Sequence, residues 1–349
     1  MPPLISKVHE RVRSPEAQDA FKRWFDASPI YSGPIVANRL GWQVMRTVAK
    51  NSAAEVRGLR TLGAVPEKLT SALDRDGMVV IPDYLPTPSH DAVRTAFEQY
   101  GQSPHLRDIG EENGSHIRYR SGPVRSDRPD DDAATIISLL TRDPLMIGLA
   151  EHVIHRRVRP PVSLVYQHLE LPPGVVDDHD REQLLHADKF YSCAKAIYCV
   201  EAVTETSSPF VYCPGSHRVT VERLRYERAM SIRDAELRAG HLPRPGGEIE
   251  FDQIDFDRSR NVIGTDFRER LDLHERPLTC AANTLILVNN RGFHRRGVLA
   301  PGQSRKTLWV NFYPYQRPFY GRLAFRAAKR VIDTDNVSRA LPAVYTQSA

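Results

Sequence analysis

The chain has 349 residues, 41% hydrophobic and 26% charged, an ordinary globular balance that allows one large core or two modest ones. No stretch approaches the roughly eighteen consecutive apolar residues of a membrane span. The N-terminus MPPLISKVHERVRSPEAQDAF lacks an apolar stretch followed by a small-residue cleavage site, so the expected location is the cytoplasm. The net charge of +5 is scattered, largely as arginine, without the basic stripe and interleaved aromatics of a nucleic-acid surface. No nucleic-acid or membrane partner is expected; an anionic substrate and self-association into a homo-oligomer are left open.

Residues 1–72 read as a helical extension packed on the core. SPEAQDAFKRWFDAS, with Ser14 capping before Pro15, and RLGWQVMRTVAKNSAAEVRGL both carry apolar residues at three- and four-residue spacing. A core domain is expected over 73–320. It opens with LTSALDRDGMVVIPDYLP, a helix end running into a strand over 78–81 that Pro82 stops, followed by a helix over 88–101. SHIRYRSGPVRSDRPDDDA (115–133) reads as a loop, and helices resume over 133–155. From about 162 the texture becomes β-rich: VSLVYQHLEL, AKAIYCVEAV, PFVYCPG, NTLILVN and KTLWVNFYP are separated by Pro, Gly and Ser. Helices first and strands later predict an α+β protein whose helices buttress an antiparallel sandwich or barrel. No dinucleotide or ATP-binding glycine loop is present. Residues 218–277 interrupt the strands, beginning with the charged helical pattern VERLRYERAMSIRDAELRAGH. They continue to EIEFDQIDFD, whose alternation favours a solvent-facing strand over an acidic metal loop. An insertion of this length is a candidate lid or wall over a site. Residues 321–349 form a C-terminal tail. Cys193, Cys199, Cys213 and Cys280 show no CxxC pairing and read as buried thiols.

In Leu185-His186-Ala187-Asp188 an imidazole and a carboxylate stand two residues apart, so on an extended chain both point to one side. Two histidines and one carboxylate suit iron(II) and leave one face of the octahedron open. His294, in NTLILVNNRGFHRRG, is the candidate third ligand, with a satisfied structural histidine as the competing reading. Arg305 follows eleven positions later, after the turn Ala300-Pro301-Gly302-Gln303, which should fold the second strand back along the first and bring Arg305 into the same cavity. A buried arginine grips a carboxylate bidentately, which suits the distal end of a dicarboxylate co-substrate. Arg305, Thr307, Trp309 and Asn311 should share the cavity face, with Leu308, Val310 and Phe312 packed on the other.

Taken with Pro214-Gly215-Ser216-His217 and the opening DGMVVIPDYL, these motifs resemble the phytanoyl-CoA dioxygenase (PhyH-like) family over roughly residues 73–315. The resemblance implies a double-stranded β-helix (jelly-roll, cupin-like) core and iron(II) held by His186, Asp188 and His294. It further implies Arg305 on the C5 carboxylate of 2-oxoglutarate, with O2 as oxidant and ascorbate as a supporting reductant. PGSH is chiefly a structural turn in that family. The N-terminal 70 or so residues and the long segment between His217 and His294 are departures, and natural places for substrate recognition or oligomer contacts. Retention of Asp188 disfavours halogenation, which would need a small residue there.

The expected activity is hydroxylation of an unactivated C–H bond in a small molecule, with release of succinate and CO2. Desaturation, cyclisation and epimerisation use the same centre. Candidate substrates include a natural-product intermediate, an amino acid or a sugar-like unit. Gln167 and Tyr198 are candidate hydrogen-bond donors to 2-oxoglutarate or substrate, and Phe190 and Tyr191 candidate pocket walls, each with structural packing as the competing reading. The rival is a cupin-type metalloenzyme that does not use 2-oxoglutarate, and Arg305 speaks against it. A zinc hydrolase on the same ligands leaves the arginine unexplained.

Overall fold

A computed structural model describes residues 31, 33–58, 65–108, 116–125, 131–161, 163–176, 181–240 and 261–313. The helix expected over 14–28, the alternating segment 248–257 and the tail 321–349 lie outside the described residues.

Helices occupy most of the first half: α1 (Ile35–Arg39), α2 (Trp42–Gly58) and α3 (Glu67–Asp76), then, after strand β1 (Met78–Ile81), α4 (Thr87–Tyr100). Gly77 ends α3 in the left-handed conformation (φ 77°) with its N–H on the Leu73 carbonyl, and the chain turns directly into β1. Next come β2 (Arg107–Asp108), β3 (Arg118–Arg125), α5 (Asp131–Leu140) and α6 (Pro144–Ile154). Asp143 caps α6 by accepting the Met146 N–H, and Pro144 supplies the first helical position. The second half holds β4 (Ser163–Glu170), β5 (His186–Ala187), β6 (Ala194–Cys199) and β7 (Phe210–Tyr212), interrupted by α7 (Val221–Arg238). It closes with β8 (Asn261–Val262), α8 (Thr265–Arg270), β9 (Arg276–Leu278), β10 (Thr284–Asn289), β11 (His294–Arg296) and β12 (Ser304–Phe312).

These strands form two antiparallel sheets, ordered β1-β10-β6-β12-β4-β3-β2 and β8-β5-β11-β7-β9. They face one another as a jelly-roll sandwich, the expected double-stranded β-helix. Alternation along each strand assigns its two faces. On β6 and β12, Ala194, Ala196, Tyr198, Leu308, Val310 and Phe312 pack outward against Phe97, Tyr100, Ile136, Leu149 and Ile154 of the helices α4, α5 and α6. The inward residues of the same strands line a cavity between the sheets. The outer face of the smaller sheet is covered by α7, where Tyr226 and Met230 join Leu185, Ala187, Cys213 and Phe293. Helix α7 also packs on α1 and α2.

Three expectations change. Within 115–133, the part read as loop contains the eight-residue strand β3. Gly122-Pro123 hid its pattern, but Pro123 pairs with Val165 on one side and lies beyond the end of β2 on the other, so its missing N–H breaks no ladder. The Ala300–Gln303 turn does form, with Gly302 at φ 75° and the Gln303 N–H on the Ala300 carbonyl. It does not fold β12 back along β11, however: β11 pairs with β5 and β7, while β12 pairs with β4 and β6 in the opposite sheet. Helix α7 of the 218–277 insertion lies behind the smaller sheet, contacting α1 and α2, and contributes no residue to the cavity.

Candidate metal centre

His186 begins β5, and His294 begins β11 directly opposite it in the antiparallel register. Their rings therefore meet across the sheet, centroids 4.6 Å apart. Asp188, two residues past His186, projects to the same side. The His186 Nε2 lies 3.6 Å from Asp188 Oδ1, and the His294 Nε2 lies 3.8 Å from Oδ2. One donor atom from each of the three lies within 4.8 Å of the others, the sole such group of three His, Cys, Asp or Glu side chains among the described residues.

The rings are aimed by their far nitrogens. The Nδ1 of His186 bonds the Leu184 carbonyl at 2.7 Å, and that of His294 bonds the Gly292 carbonyl at 2.9 Å. A proton on Nδ1 leaves each Nε2 as a free lone pair facing the carboxylate, the arrangement expected of a histidine ligand. Burial, reinforced by the neighbouring His186, pushes the His294 pKa down to about 3, so this ring stays neutral. Burial opposes ionisation of Asp188, but its coupling to His294, the charge of Lys195, the neighbouring His186 and a hydrogen bond from Asn290 together hold its carboxyl below the usual range. Two imidazoles and a carboxylate match a divalent iron ion, and the set is open on the cavity side.

The segment carrying His294 is fixed from behind. The Ser216 Oγ of the PGSH turn accepts the Phe293 N–H at 2.8 Å and donates to the Cys213 carbonyl at 2.6 Å. A Cβ on Gly292 would stand 2.0 Å from the Tyr212 hydroxyl, so only glycine fits two residues before the ligand. The Asn290 Nδ2 donates to Asp188 Oδ2, and buried Arg291 donates to Asn51 Oδ1 and the His217 carbonyl. His217 itself lies away from the cavity, against Gly77 and Tyr212, as the structural reading of PGSH expects.

The cavity has a volume of about 200 Å³ and is lined by the triad with Gln167, Lys195, Phe210, Arg305, Trp309 and others. Arg305, Thr307, Trp309 and Asn311 all face into it, as their parity predicts. The Arg305 guanidinium is buried. It donates to the Ser208 carbonyl and, at 2.8 Å, to Gln167 Oε1, while its Nε is buried without a partner. Burial and the nearby Arg296 lower its pKa to about 10, which leaves it charged at neutral pH. No carboxylate among the described residues pairs with it; a buried cation in this state calls for an anionic ligand. Gln167 also accepts from Thr307 at 3.1 Å and donates to the Tyr119 hydroxyl at 2.5 Å, so it orients the guanidinium.

Tyr198 is a correction. Its neighbours Ile197 and Cys199 face the cavity, so its ring faces the helices, where the hydroxyl meets His90 Nδ1 at 2.7 Å and Asn283 Oδ1 at 3.0 Å. Phe190 and Tyr191 likewise pack with Cys193 in a separate buried cluster and leave the cavity wall to other residues. The sequence reading missed Tyr119, hidden in the segment taken as loop, and Asn290 and Lys195. Lys195 alone carried a signal, as the one charged residue in the strand AKAIYC.

A family model described as phytanoyl-CoA dioxygenase (PhyH) matches residues 73–247. No curated protein sequence matches. Among solved structures, the epimerase SnoN in complex with Fe3+, alpha ketoglutarate and nogalamycin RO is 14% identical, with 70% of this chain and 82% of that chain covered and a TM-score of 0.44. EctD from S. alaskensis, with 2-oxoglutarate and 5-hydroxyectoine, is 12% identical over 71% of this chain and 76% of its own, with a TM-score of 0.42. HygX from Streptomyces hygroscopicus, with nickel, 2-oxoglutarate and hygromycin B bound, is 14% identical over 72% and 88%, also with a TM-score of 0.42.

Proposed function

Because the chain belongs to the phytanoyl-CoA dioxygenase (PhyH) family, we propose that it is a mononuclear non-haem iron(II), 2-oxoglutarate-dependent oxygenase acting on a small molecule, with His186, Asp188 and His294 as the iron ligands and Arg305 as the anchor of the co-substrate. The observation that carries this reading is the pairing of features in one cavity: two Nε2 atoms and a carboxylate converge at one end, and a buried guanidinium with no counter-ion among the described residues lies beyond them. A hydrolytic or isomerising metal centre needs the first feature and leaves the second unexplained.

Iron(II), when bound with 2-oxoglutarate and O2, supplies an oxidant able to attack an unactivated C–H bond, with succinate and CO2 released. The chain's own residues do the rest. Arg305, steadied by Gln167, takes the far carboxylate of the diacid as a fork-to-fork pair. Asn290 holds the Asp188 carboxylate in one rotamer, which preserves the open face between the two imidazoles. Phe210 stacks on His294, its ring centroid 5.1 Å away, and with Ile197 and Trp309 gives the cavity apolar walls that exclude water from the reacting face. Hydroxylation is the simplest outcome; desaturation, cyclisation and epimerisation need the same residues and differ in how the substrate is held.

Anaerobic titration tests the assignment without knowledge of the substrate. Iron(II) plus 2-oxoglutarate should produce a weak visible absorption band in the wild type, and Asp188→Ala or His294→Ala should abolish it, whereas Cys213→Ser should leave it intact. Arg305→Ala should raise the 2-oxoglutarate concentration needed by at least tenfold with little change in that for iron. A normal band in either ligand variant rejects the assignment.

A further inference from the structure

The cavity has a second cationic end that the co-substrate does not reach. Along the inner row of β12, Arg305 and Asn311 stand six residues apart, roughly 20 Å of strand at about 3.3 Å per residue. Lys195 of β6 pairs in register with Asn311, so it belongs to the end remote from Arg305. A five-carbon diacid spans only about 6 Å between its terminal carbons, at about 1.5 Å per bond. Anchored on Arg305 and reaching the metal ligands, it leaves the Lys195 end open. The Lys195 Nζ sits 4.6 Å from the Trp309 ring centroid and 5.6 Å from that of Phe210, and Phe210 in turn stacks on His294. The ammonium is therefore held beside the metal site.

Two further observations point to a ligand there. Lys195 lines the cavity and its charge acts on Asp188, but no carboxylate among the described residues lies within ion-pair distance of its ammonium. Two aromatic faces attract an ammonium but offer it no hydrogen-bond acceptor. Beside it, the Asn311 Oδ1 is buried with no hydrogen-bond partner. Near the same end, the Lys189 Nζ lies 5.7 Å from the Tyr313 ring centroid, adding a second positive charge.

We propose that Lys195 and Asn311, walled by Trp309 and Phe210, form the substrate subsite, and that the substrate is an anion whose carboxylate or phosphate pairs with Lys195 while its flat or apolar body lies on the two rings. The inference rests on the co-substrate reading above, which fixes the Arg305 end as occupied. Arginine would offer a planar fork here; lysine offers a compact point charge, suited to a carboxylate or a phosphate in several orientations.

The test uses the full chain loaded with zinc(II), which cannot turn over, and saturating 2-oxoglutarate, with benzoate, phenyl phosphate and neutral benzamide as probes followed by calorimetry. Either anion should bind at least tenfold more tightly than benzamide, and the better of the two identifies the group the subsite takes. Lys195→Gln should remove that preference, Lys195→Arg should restore most of it, and neither should change the 2-oxoglutarate affinity by more than about twofold. Equal binding of the three probes, or anion binding that survives Lys195→Gln, overturns the proposal. So does a Lys195→Gln protein that loses 2-oxoglutarate affinity tenfold, since Lys195 would then hold the co-substrate. Failure of the wild type to bind zinc(II) and 2-oxoglutarate at all is a separate result, which removes the oxygenase reading and this subsite with it.

Discussion

His186 and His294 have their Nδ1 atoms fixed by carbonyls, but Asp188 depends on a side chain, and that makes Asn290 the weak point of the ligand set. Its Nδ2 holds one carboxylate oxygen while the other faces His186. Replacing it with leucine, similar in size but without a donor, frees the carboxylate to rotate. Partners of this kind typically change metal affinity by about 10- to 100-fold. Asn290→Leu should therefore weaken zinc(II) binding in a chelator competition by that factor, and unchanged affinity would mean that Asn290 does not orient the ligand. The meeting of His186, Asp188 and His294 was legible because H-x-D on extended chain, weak by itself, gained weight from the resemblance to the PhyH family, which keeps an arginine eleven residues after the last histidine. Asn290 carried no such signal, since its role depends on a loop meeting a strand 102 positions away. Tyr198 was misread for a related reason. AKAIYC is buried on both faces, so its apolar residues show no alternation to say which side is inner, and only the charge of Lys195 marks the cavity side.

The elements that hold the site are short, and several are turns. His217 closes PGSH and lies where α3, β1 and β7 meet, its ring against Gly77 and Tyr212. Burial and the charge of Arg291 push its pKa down to about 4. An unfolded chain binds this proton near pH 6.5, so between those values the unfolded state holds more protons and stability rises with pH. The contribution is intact above about pH 6.5 and is lost as the pH falls towards 4, with a ceiling on the order of 3 kcal/mol. His217→Gln should flatten the fall in Tm between pH 6.5 and 4 relative to the wild type; parallel profiles would show that the ring is not buried neutral. At this scale the strands with clean turns were legible, as was the α7 helix. The strand β3 was not, because glycine and proline within it erase the two-residue period. The placement of β11 and β12 in opposite sheets could not be read either: a four-residue turn serves a hairpin or a crossing between sheets equally well, and the choice is made by distant partners, β5 and β7 for one and β4 and β6 for the other.

Across the whole molecule, both sheets have helix-covered outer faces and turn their polar residues inward. The larger sheet is backed by α4, α5 and α6, the smaller by α7 with α1 and α2 behind it. That general plan followed from helices preceding strands, whereas the position of α7 did not, since a charged amphipathic helix packs equally well over a mouth or against a back wall. Turning polar groups inward leaves Arg305, Arg296, Arg295 and Lys195 around one small cavity, with Glu182 and Asp188 as the only acids lining it among the described residues. Among the described residues the cavity therefore carries excess positive charge, so an anion that neutralises it, like a metal ion held by the triad, should bind the folded state alone. Such a ligand at about 100 times its dissociation constant adds about 2.7 kcal/mol to unfolding, a Tm increase of several degrees for a chain of this size. Zinc(II) should give one increment and 2-oxoglutarate a second that appears only after the metal. Arg305→Ala should keep the first and lose the second, and Asp188→Ala should lose both. A second increment of full size in Arg305→Ala would place the diacid elsewhere, because no other buried guanidinium in the cavity combines an unpartnered Nε with a position opposite the ligand strands.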